Sequence, residues 1–253
     1  MEIRGKVVLV TGAAGGIGRA VVRRLRDEGA SLVVVGRRGD LLESVARDVE
    51  GRGVVADLAS GEGLRRVADL AGDVDVFVSC AGVSGRGALT GFGQDDLERV
   101  LDVNLRAPLV LTRLLGAGMV ARGGGHVVFV SSLAAKAAGA GRALDSAAGF
   151  GVRGFALALR QDWGPLGVGV SCVNVGPVDE GEEIPDGVAL PAGFRAKVPA
   201  DVAAAVVRAV RHDRAEVDVA DPVMRAGVVF GQVAPQVAAR LRGLAGGDQA
   251  GDR

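Results

Sequence analysis

The sequence predicts an α/β domain in which helices cover both faces of a parallel sheet of about seven strands. Short β-branched runs alternate with longer helix-forming segments along the chain. The runs are continuously apolar rather than alternating, as expected of strands that are buried on both faces. A length of 253 residues and a hydrophobic content of 49% suffice for one domain with a packed core. These observations favour a doubly wound, three-layer architecture.

The individual elements follow from the same pattern. Predicted strands occupy residues 6–10, 31–35, 53–56, 74–78, 126–130, 169–175 and 215–219. Predicted helices occupy residues 16–28, 39–49, 61–70, 95–121, 144–162 and 200–211. Pro108 is placed to bend the longest of these helices. No linker or internal repeat divides the chain, so residues 1–243 are predicted to form a single domain and residues 244–253 a flexible tail.

Charge and composition argue against several classes of function. The 30 basic and 30 acidic side chains cancel, so no basic excess indicates nucleic acid as a partner. No apolar run approaches the ~20 residues of a membrane helix, and the amino terminus lacks the apolar segment of a secretion signal. Cys80 and Cys172 stand in apolar runs, which predicts buried, reduced thiols. We expect a cytoplasmic protein that contacts neither nucleic acid nor membrane.

A metal centre is not predicted either. The two histidines, His126 and His212, are far apart in the sequence. This spacing supports neither a zinc site nor a Ser–His–Asp triad. The acidic segment 180–187 is predicted to be a solvated loop rather than a metal site.

A glycine-rich segment follows the first predicted strand and precedes the first predicted helix. It contains Gly12, Gly16 and Gly18 in the run TGAAGGIG. Glycines let the backbone turn sharply and approach a pyrophosphate, which the N–H groups and dipole of the helix N-terminus then bind. The strand, the glycines, the helix and the second strand together predict a dinucleotide-binding site.

The end of the second predicted strand favours NADP(H) over NAD(H). Gly36, Arg37 and Arg38 follow SLVVV, where an NAD-binding protein would carry an acid for the ribose hydroxyls. A guanidinium suits a 2′-phosphate, although a solvated arginine pair at a helix start is the alternative. Asp57 is predicted either to accept a hydrogen bond from the adenine amino group or to cap the next helix.

Several segments together resemble the short-chain dehydrogenase/reductase family in order and spacing, over nearly the whole chain. They are TGAAGGIG (11–18), ADL (56–58), CAG (80–82), DVNL (102–105), VVFVSS (127–132) and GPVD (176–179). The resemblance implies a Rossmann fold in which Ile17, Ala81 and Gly82 join the glycines in binding the cofactor. It also implies a homodimer or homotetramer that assembles through the two long helices.

In that family an Asn, a Ser, a Tyr and a Lys carry the chemistry. The resemblance places the Asn, which organises a proton-relay water, at Asn104. It places the Ser, which bonds the substrate oxygen, at Ser132. The Tyr and Lys positions hold Asp145 and Gly149, and the sequence contains no tyrosine. Standard Tyr/Lys-assisted hydride transfer is therefore not expected of this chain.

Further departures from the family concern the nicotinamide end of the cofactor site. Cys80 replaces an Asn that shapes that site, and Val175 replaces a Pro. Glu180 stands where a Thr commonly holds the carboxamide. The resemblance thus implies NADP(H) as the cofactor, with weak or purely structural binding as the open alternative.

Three functions remain open at this point. The first is an altered enzyme of secondary metabolism, in which Asp145 carries out elimination, isomerisation or cyclisation on a carbonyl- or hydroxyl-bearing small molecule. Ser132 would then donate to the developing oxyanion; alternatively, Asp145 is a solvent-facing helix cap. The second is an atypical NADPH-dependent ketoreductase with a substitute acid, such as Lys136 if that residue is not a surface charge. The third is a non-catalytic ligand-binding or partner subunit.

Overall fold

The computed structural model describes residues 1–179, 195–234 and 236–237. Its strands are β1 (Val7–Thr11), β2 (Ser31–Gly36), β3 (Arg52–Val55), β4 (Val76–Ser79), β5 (Gly125–Ser132), β6 (Val168–Val175) and β7 (Glu216–Val219). They form one seven-stranded sheet in the order β3-β2-β1-β4-β5-β6-β7. Every neighbouring pair is parallel. The predicted fold class is therefore confirmed.

Helices cover both faces of the sheet. They are α1 (Gly16–Asp27), α2 (Gly39–Asp48), α3 (Gly61–Ala71), α4 (Gln94–Leu101), α5 (Ala107–Ala121), α6 (Ala143–Trp163), α7 (Pro199–Arg211) and α8 (Pro222–Val233). The apolar sides of α1, α2 and α7 pack on one face of the sheet. Those of α3, α5 and α6 pack on the other. Both faces of the central strands are thus buried, which explains their continuous apolar sequence.

The direction of winding reverses between β1 and β4. These two strands are neighbours in the sheet although two strands separate them in sequence. In doubly wound sheets this reversal opens a crevice at the carboxyl ends of the strands, where ligands bind. The glycine-rich loop after β1 and the segment after β4 both lie there.

The long helix predicted over residues 95–121 is interrupted before Pro108. A π-helical turn, Asp102–Arg106, joins α4 to α5. Pro108 lies in the first turn of α5, where a missing N–H is tolerated. Because the proline ring would crowd the carbonyl group four residues earlier in a regular helix, the wider turn provides space there. The same turn carries Asn104 towards the crevice.

Several sequence predictions concern residues outside the described ranges. The predicted domain boundary after residue 243, the tail 244–253, the acidic segment 180–187 and Glu180 lie outside the described residues. Within the described ranges, no helix combines the length and apolar character needed to span a bilayer.

Candidate functional site

The first candidate site is the glycine-loop cleft, which we define as the cavity of about 430 Å³ beside the β1–α1 loop. The structure brings all of the sequence-predicted cofactor residues to this cavity. They are Gly12, Gly16, Ile17, Gly18, Arg37, Arg38, Asp57, Ala81 and Gly82. The cleft therefore joins the loop after β1, the end of β2 and the segments that follow β3 and β4.

Close backbone approach explains why glycines occupy two positions of this loop. Gly12 has a φ of +69°, and a Cβ there would lie 2.7 Å from Cα of Ala81. A Cβ at Gly18 would collide with the carbonyl oxygen of Gly12. Any side chain at either position would push the loop away from the sheet. The glycines thus keep the start of α1 against the ends of the strands.

The start of α1 is available to an anion. Its N-cap is Gly15, which has no side chain to satisfy the first-turn N–H groups, and its first turn contains no acidic residue. Unsatisfied N–H groups and the positive end of the helix dipole attract phosphate oxygens. Arg37 and Arg38 line the same cleft. Neither makes a hydrogen bond or ion pair with any residue that the structure describes.

Asp57 lies on the opposite wall of the cleft and does not cap α3. Its Oδ1 accepts a hydrogen bond from the N–H of Ala59 at 3.0 Å, and its carboxylate pairs with Arg99 at 3.3 Å. Ser60 caps α3 instead, accepting from the N–H of Gly63 at 2.9 Å, so the capping alternative for Asp57 was wrong. Burial opposes ionisation of Asp57, but the Ala59 hydrogen bond and the Arg99 charge hold its pKa below the ordinary value.

The second candidate site is the Asp145 pocket, which we define as the adjoining cavity of about 450 Å³. All three sequence-predicted catalytic residues, Asn104, Ser132 and Asp145, line it, as does Gly149. It shares Ile17 and residues 80–83 with the glycine-loop cleft. A ligand that filled the cleft would therefore border the pocket.

Asp145 is held by the loop after β4 rather than exposed at the end of its helix. Its Oδ1 accepts a hydrogen bond from the N–H of Gly85 at 2.8 Å, and its Oδ2 lies 3.8 Å from Nε of Arg86. Its side chain is 16% exposed. The alternative of a solvent-facing cap was therefore wrong, because the carboxylate fastens another segment to α6 and faces the cavity.

Ser132 and Asn104 differ in how much of their hydrogen-bonding capacity remains. Oγ of Ser132 accepts from the N–H of Ala134 at 3.2 Å, so the hydroxyl hydrogen remains available as a donor. The amide of Asn104 accepts from the N–H of Val83 at 2.8 Å and donates to its carbonyl oxygen at 2.7 Å. Asn104 therefore holds the segment after β4 in place from the π-helical turn.

Gly149 lies where no side chain fits without movement. A Cβ there would be 3.1 Å from the backbone N, Cα and Cβ of Ala135, which belongs to a 3₁₀ turn at Leu133–Ala135. This distance is shorter than ordinary van der Waals contact. The turn after β5 thus packs directly on the backbone of α6, in the space that a longer residue would need.

Lys136 is neither a surface charge nor a residue of the Asp145 pocket, so both predictions for it were wrong. It is 8% exposed. Its Nζ lies 2.7 Å from Oδ1 of Asp218 and 3.3 Å from Oε1 of Glu216, both on β7. Because the buried ammonium is balanced by two carboxylates, it ties the turn after β5 to the edge of the sheet.

The cysteines differ in their surroundings. They are not joined by a disulfide. Cys172 is buried in β6, and burial raises the pKa of its thiol to about 12. Cys80 is only half-buried, contrary to expectation, because it lines both cavities. Among the residues that the structure describes, no three His, Cys, Asp or Glu side chains are grouped as a metal site requires.

Sequence reasoning missed two residues of the pocket, Arg86 and Arg142. Arg142 is the N-cap residue of α6 and is half-buried. Arg86 follows β4 in the loop that Asp145 fastens. Neither belongs to a motif, and arginine is frequent throughout the chain. Only the three-dimensional arrangement distinguishes them from solvated charges.

Comparison with known proteins identifies the relatives of the chain. The short chain dehydrogenase family model matches residues 6–183. The chain is 30% identical to the ketoacyl reductase HetN of Nostoc sp. over 94% of its own length and 88% of that protein. It is 38% identical to the glycine betaine reductase ATRR of Emericella nidulans, over 69% of its own length but only 14% of that protein.

A solved structure shares the fold. A blue fluorescent protein from a metagenomic library, solved in complex with NADPH, is 26% identical and superposes with a TM-score of 0.75 over 87% of this chain and 98% of that one. The family model extends over more than half of the sequence, and the sheet order and glycine-rich loop agree with it. The chain belongs to the short-chain dehydrogenase/reductase family.

Proposed function

We propose that the chain binds NADP(H) in the glycine-loop cleft and carries out acid/base chemistry on a carbonyl- or hydroxyl-bearing small molecule in the Asp145 pocket. Elimination, isomerisation and cyclisation, as in secondary metabolism, belong to this class. The observation that carries the proposal is the lining of the pocket. It offers a carboxylate at Asp145 and no side chain at Gly149, where Ala135 would have to move to admit one, in a chain without tyrosine.

The glycine-loop cleft fits NADP(H). The first-turn N–H groups of α1 would hold the pyrophosphate, and Arg37 and Arg38 would hold the 2′-phosphate. The NADPH complex of the blue fluorescent protein supports this choice of cofactor. When bound, the nicotinamide supplies or accepts a hydride. In the proposed reaction its role is instead to form a wall of the adjoining pocket.

Asp145 and Ser132 provide the complementary groups of an acid/base reaction. The Gly85 N–H fixes one carboxylate oxygen of Asp145, which leaves the other to take a proton from a carbon beside a substrate carbonyl. The Ser132 hydroxyl donates to the carbonyl oxygen, where negative charge develops. Return of the proton to another carbon completes an isomerisation, and departure of a leaving group completes an elimination.

Hydride transfer is the second candidate function. The intact glycine-loop cleft favours it, as does the similarity to the ketoacyl reductase HetN. A reductase needs an acid to protonate the new alkoxide. Lys136 forms ion pairs with Asp218 and Glu216. Asp145 would therefore have to protonate the alkoxide.

Proton exchange in heavy water separates these functions. The protein, with NADP⁺ added, is incubated with a panel of small ketones and keto acids, and NMR follows deuterium entry beside the carbonyl group. We expect Asp145→Asn to slow exchange by about 100-fold or more, because general acid/base catalysis is worth about 10²–10⁴-fold. The matched control is Asp162→Asn, an exposed position on the same helix, which should exchange at the wild-type rate.

Three results would overturn the proposal. Undiminished exchange by Asp145→Asn would assign that residue the structural role of fastening the Gly85 loop. Consumption of NADPH with a ketone by the wild-type protein, without exchange, would favour the reductase. The absence of exchange and of NADPH consumption would favour the non-catalytic subunit.

A further inference from the structure

The Asp145 pocket contains an arginine that has no side-chain partner among the described residues. Arg142 is half-buried in the wall of the cavity. Within the described part of the chain, its guanidinium makes no hydrogen bond or ion pair. A guanidinium carries five donors in a fixed planar fork. In the cavity wall this guanidinium is only partly hydrated, so a ligand that supplies an acceptor would bind it favourably.

The other charges of the pocket do not neutralise Arg142. Among the described residues that line the cavity, the charged side chains are Arg86, Arg142 and Asp145. The single carboxylate is already engaged by the Gly85 N–H and lies beside Arg86. Burial and repulsion from Arg86 lower the pKa of Arg142, and Asp145 only partly opposes them. Asp145 therefore leaves the guanidinium of Arg142 without a hydrogen-bonded or ion-paired acceptor among the described residues.

We propose that Arg142 binds an oxyanion group of the substrate, so that the pocket takes a carboxylate- or phosphate-bearing carbonyl compound. This inference rests on the proposed function, since it places the substrate in the same pocket. A planar guanidinium fork matches two oxygens of either anion. The positive charge of Arg142 would also offset the repulsion between Asp145 and such an anion.

The test compares the affinities of matched probes for the full-length protein with NADP⁺ added. Levulinate and methyl levulinate differ in one carboxylate, and dihydroxyacetone phosphate and dihydroxyacetone differ in one phosphate. Ligand-observed NMR gives the dissociation constants. We expect one anionic probe to bind about tenfold or more tightly than its neutral partner, because a charge-assisted hydrogen-bonded pair is worth at least that much. The preferred probe identifies the anion.

Variants of Arg142 link the preference to that side chain. Arg142→Gln should remove most of the preference, while Arg142→Lys should keep part of it, because a point charge replaces a bidentate fork. The control is Arg208→Gln, an exposed position on α7, with the wild-type preference expected. Equal affinities within both probe pairs, including no binding of any probe, overturn the inference. So does an unchanged preference in a folded Arg142→Gln protein.

The two proposals fail in distinguishable ways. Anion preference is a binding measurement and needs no turnover. If the preference depends on Arg142 but Asp145→Asn does not affect exchange, the acid/base function fails and the anion site stands. If exchange depends on Asp145 and no anion preference exists, the anion site alone fails.

Discussion

The glycine-loop cleft and the Asp145 pocket share a wall but are built from different groups. The cleft is lined by backbone N–H groups and by Arg37 and Arg38, whose guanidinium groups have no hydrogen-bond or ion-pair partner among the described residues. Side chains that already bond to neighbouring loops line much of the pocket: Asp145 holds Gly85, and Asn104 holds Val83. The hydrogen-bond donors of the cleft are available to a ligand. In the pocket, Asp145 and Asn104 instead bond to the protein backbone.

The two regions also differ in how strongly their shape constrains their sequence. The cleft depends on Gly12 and Gly18, where a Cβ would collide with neighbouring backbone. Its shape can therefore be kept only if these positions remain glycine. The pocket depends on side chains that can change while α6 and β5 stay in place. Asp145 and Gly149, where the family resemblance implies a Tyr and a Lys, lie in an uninterrupted α6, and our proposal is that they change which reactions the pocket supports.

Distorting the glycine-rich loop of the cleft should have the largest effect, which is on the affinity for NADP⁺. Gly12→Ala imposes a left-handed backbone on a residue with a side chain and places its Cβ 2.7 Å from Ala81. We expect NADP⁺ affinity, measured by calorimetry, to fall by about 100-fold, equivalent to about 3 kcal/mol. Gly15→Ala is the matched control, because its Cβ would make only an ordinary 3.5 Å contact with the Gly12 carbonyl oxygen. Similar losses in both variants would show that general disruption of the loop, and not the close approach at Gly12, matters.

A smaller effect is expected where the turn after β5 meets α6. Gly149→Ala forces Ala135 to move by a few tenths of an ångström and should lower the free energy of unfolding by about 1–3 kcal/mol. On the same helix, the Cβ of Gly154→Ala would meet no atom within 4 Å. This variant should raise the free energy of unfolding by about 0.5–1 kcal/mol, because alanine favours a helix more than glycine does. Urea unfolding measures both. Equal stability of the two variants would mean that the space beside Gly149 is open.

The sequence predicted what depends on local sterics and periodicity. Continuous apolar runs predicted the buried parallel strands, and the glycine spacing predicted the loop that Gly12 and Gly18 form. It could not predict pairings between distant segments. Nothing near Lys136 indicated two carboxylates on β7, and nothing near Asp145 indicated the N–H of Gly85. Arg142 was overlooked because a guanidinium becomes notable only when its surroundings lack an acceptor.

The most direct test compares NADP⁺ with ADP-ribose 2′-phosphate, which is NADP without its nicotinamide, by titration calorimetry on the wild-type protein. If recognition lies in the glycine-loop cleft, the two should bind within about threefold of each other. ADP-ribose should bind about tenfold more weakly or worse, because Arg37 and Arg38 lose the 2′-phosphate. Binding of NADP⁺ about 100-fold tighter than the nicotinamide-free ligand, or no binding of either, would contradict the account.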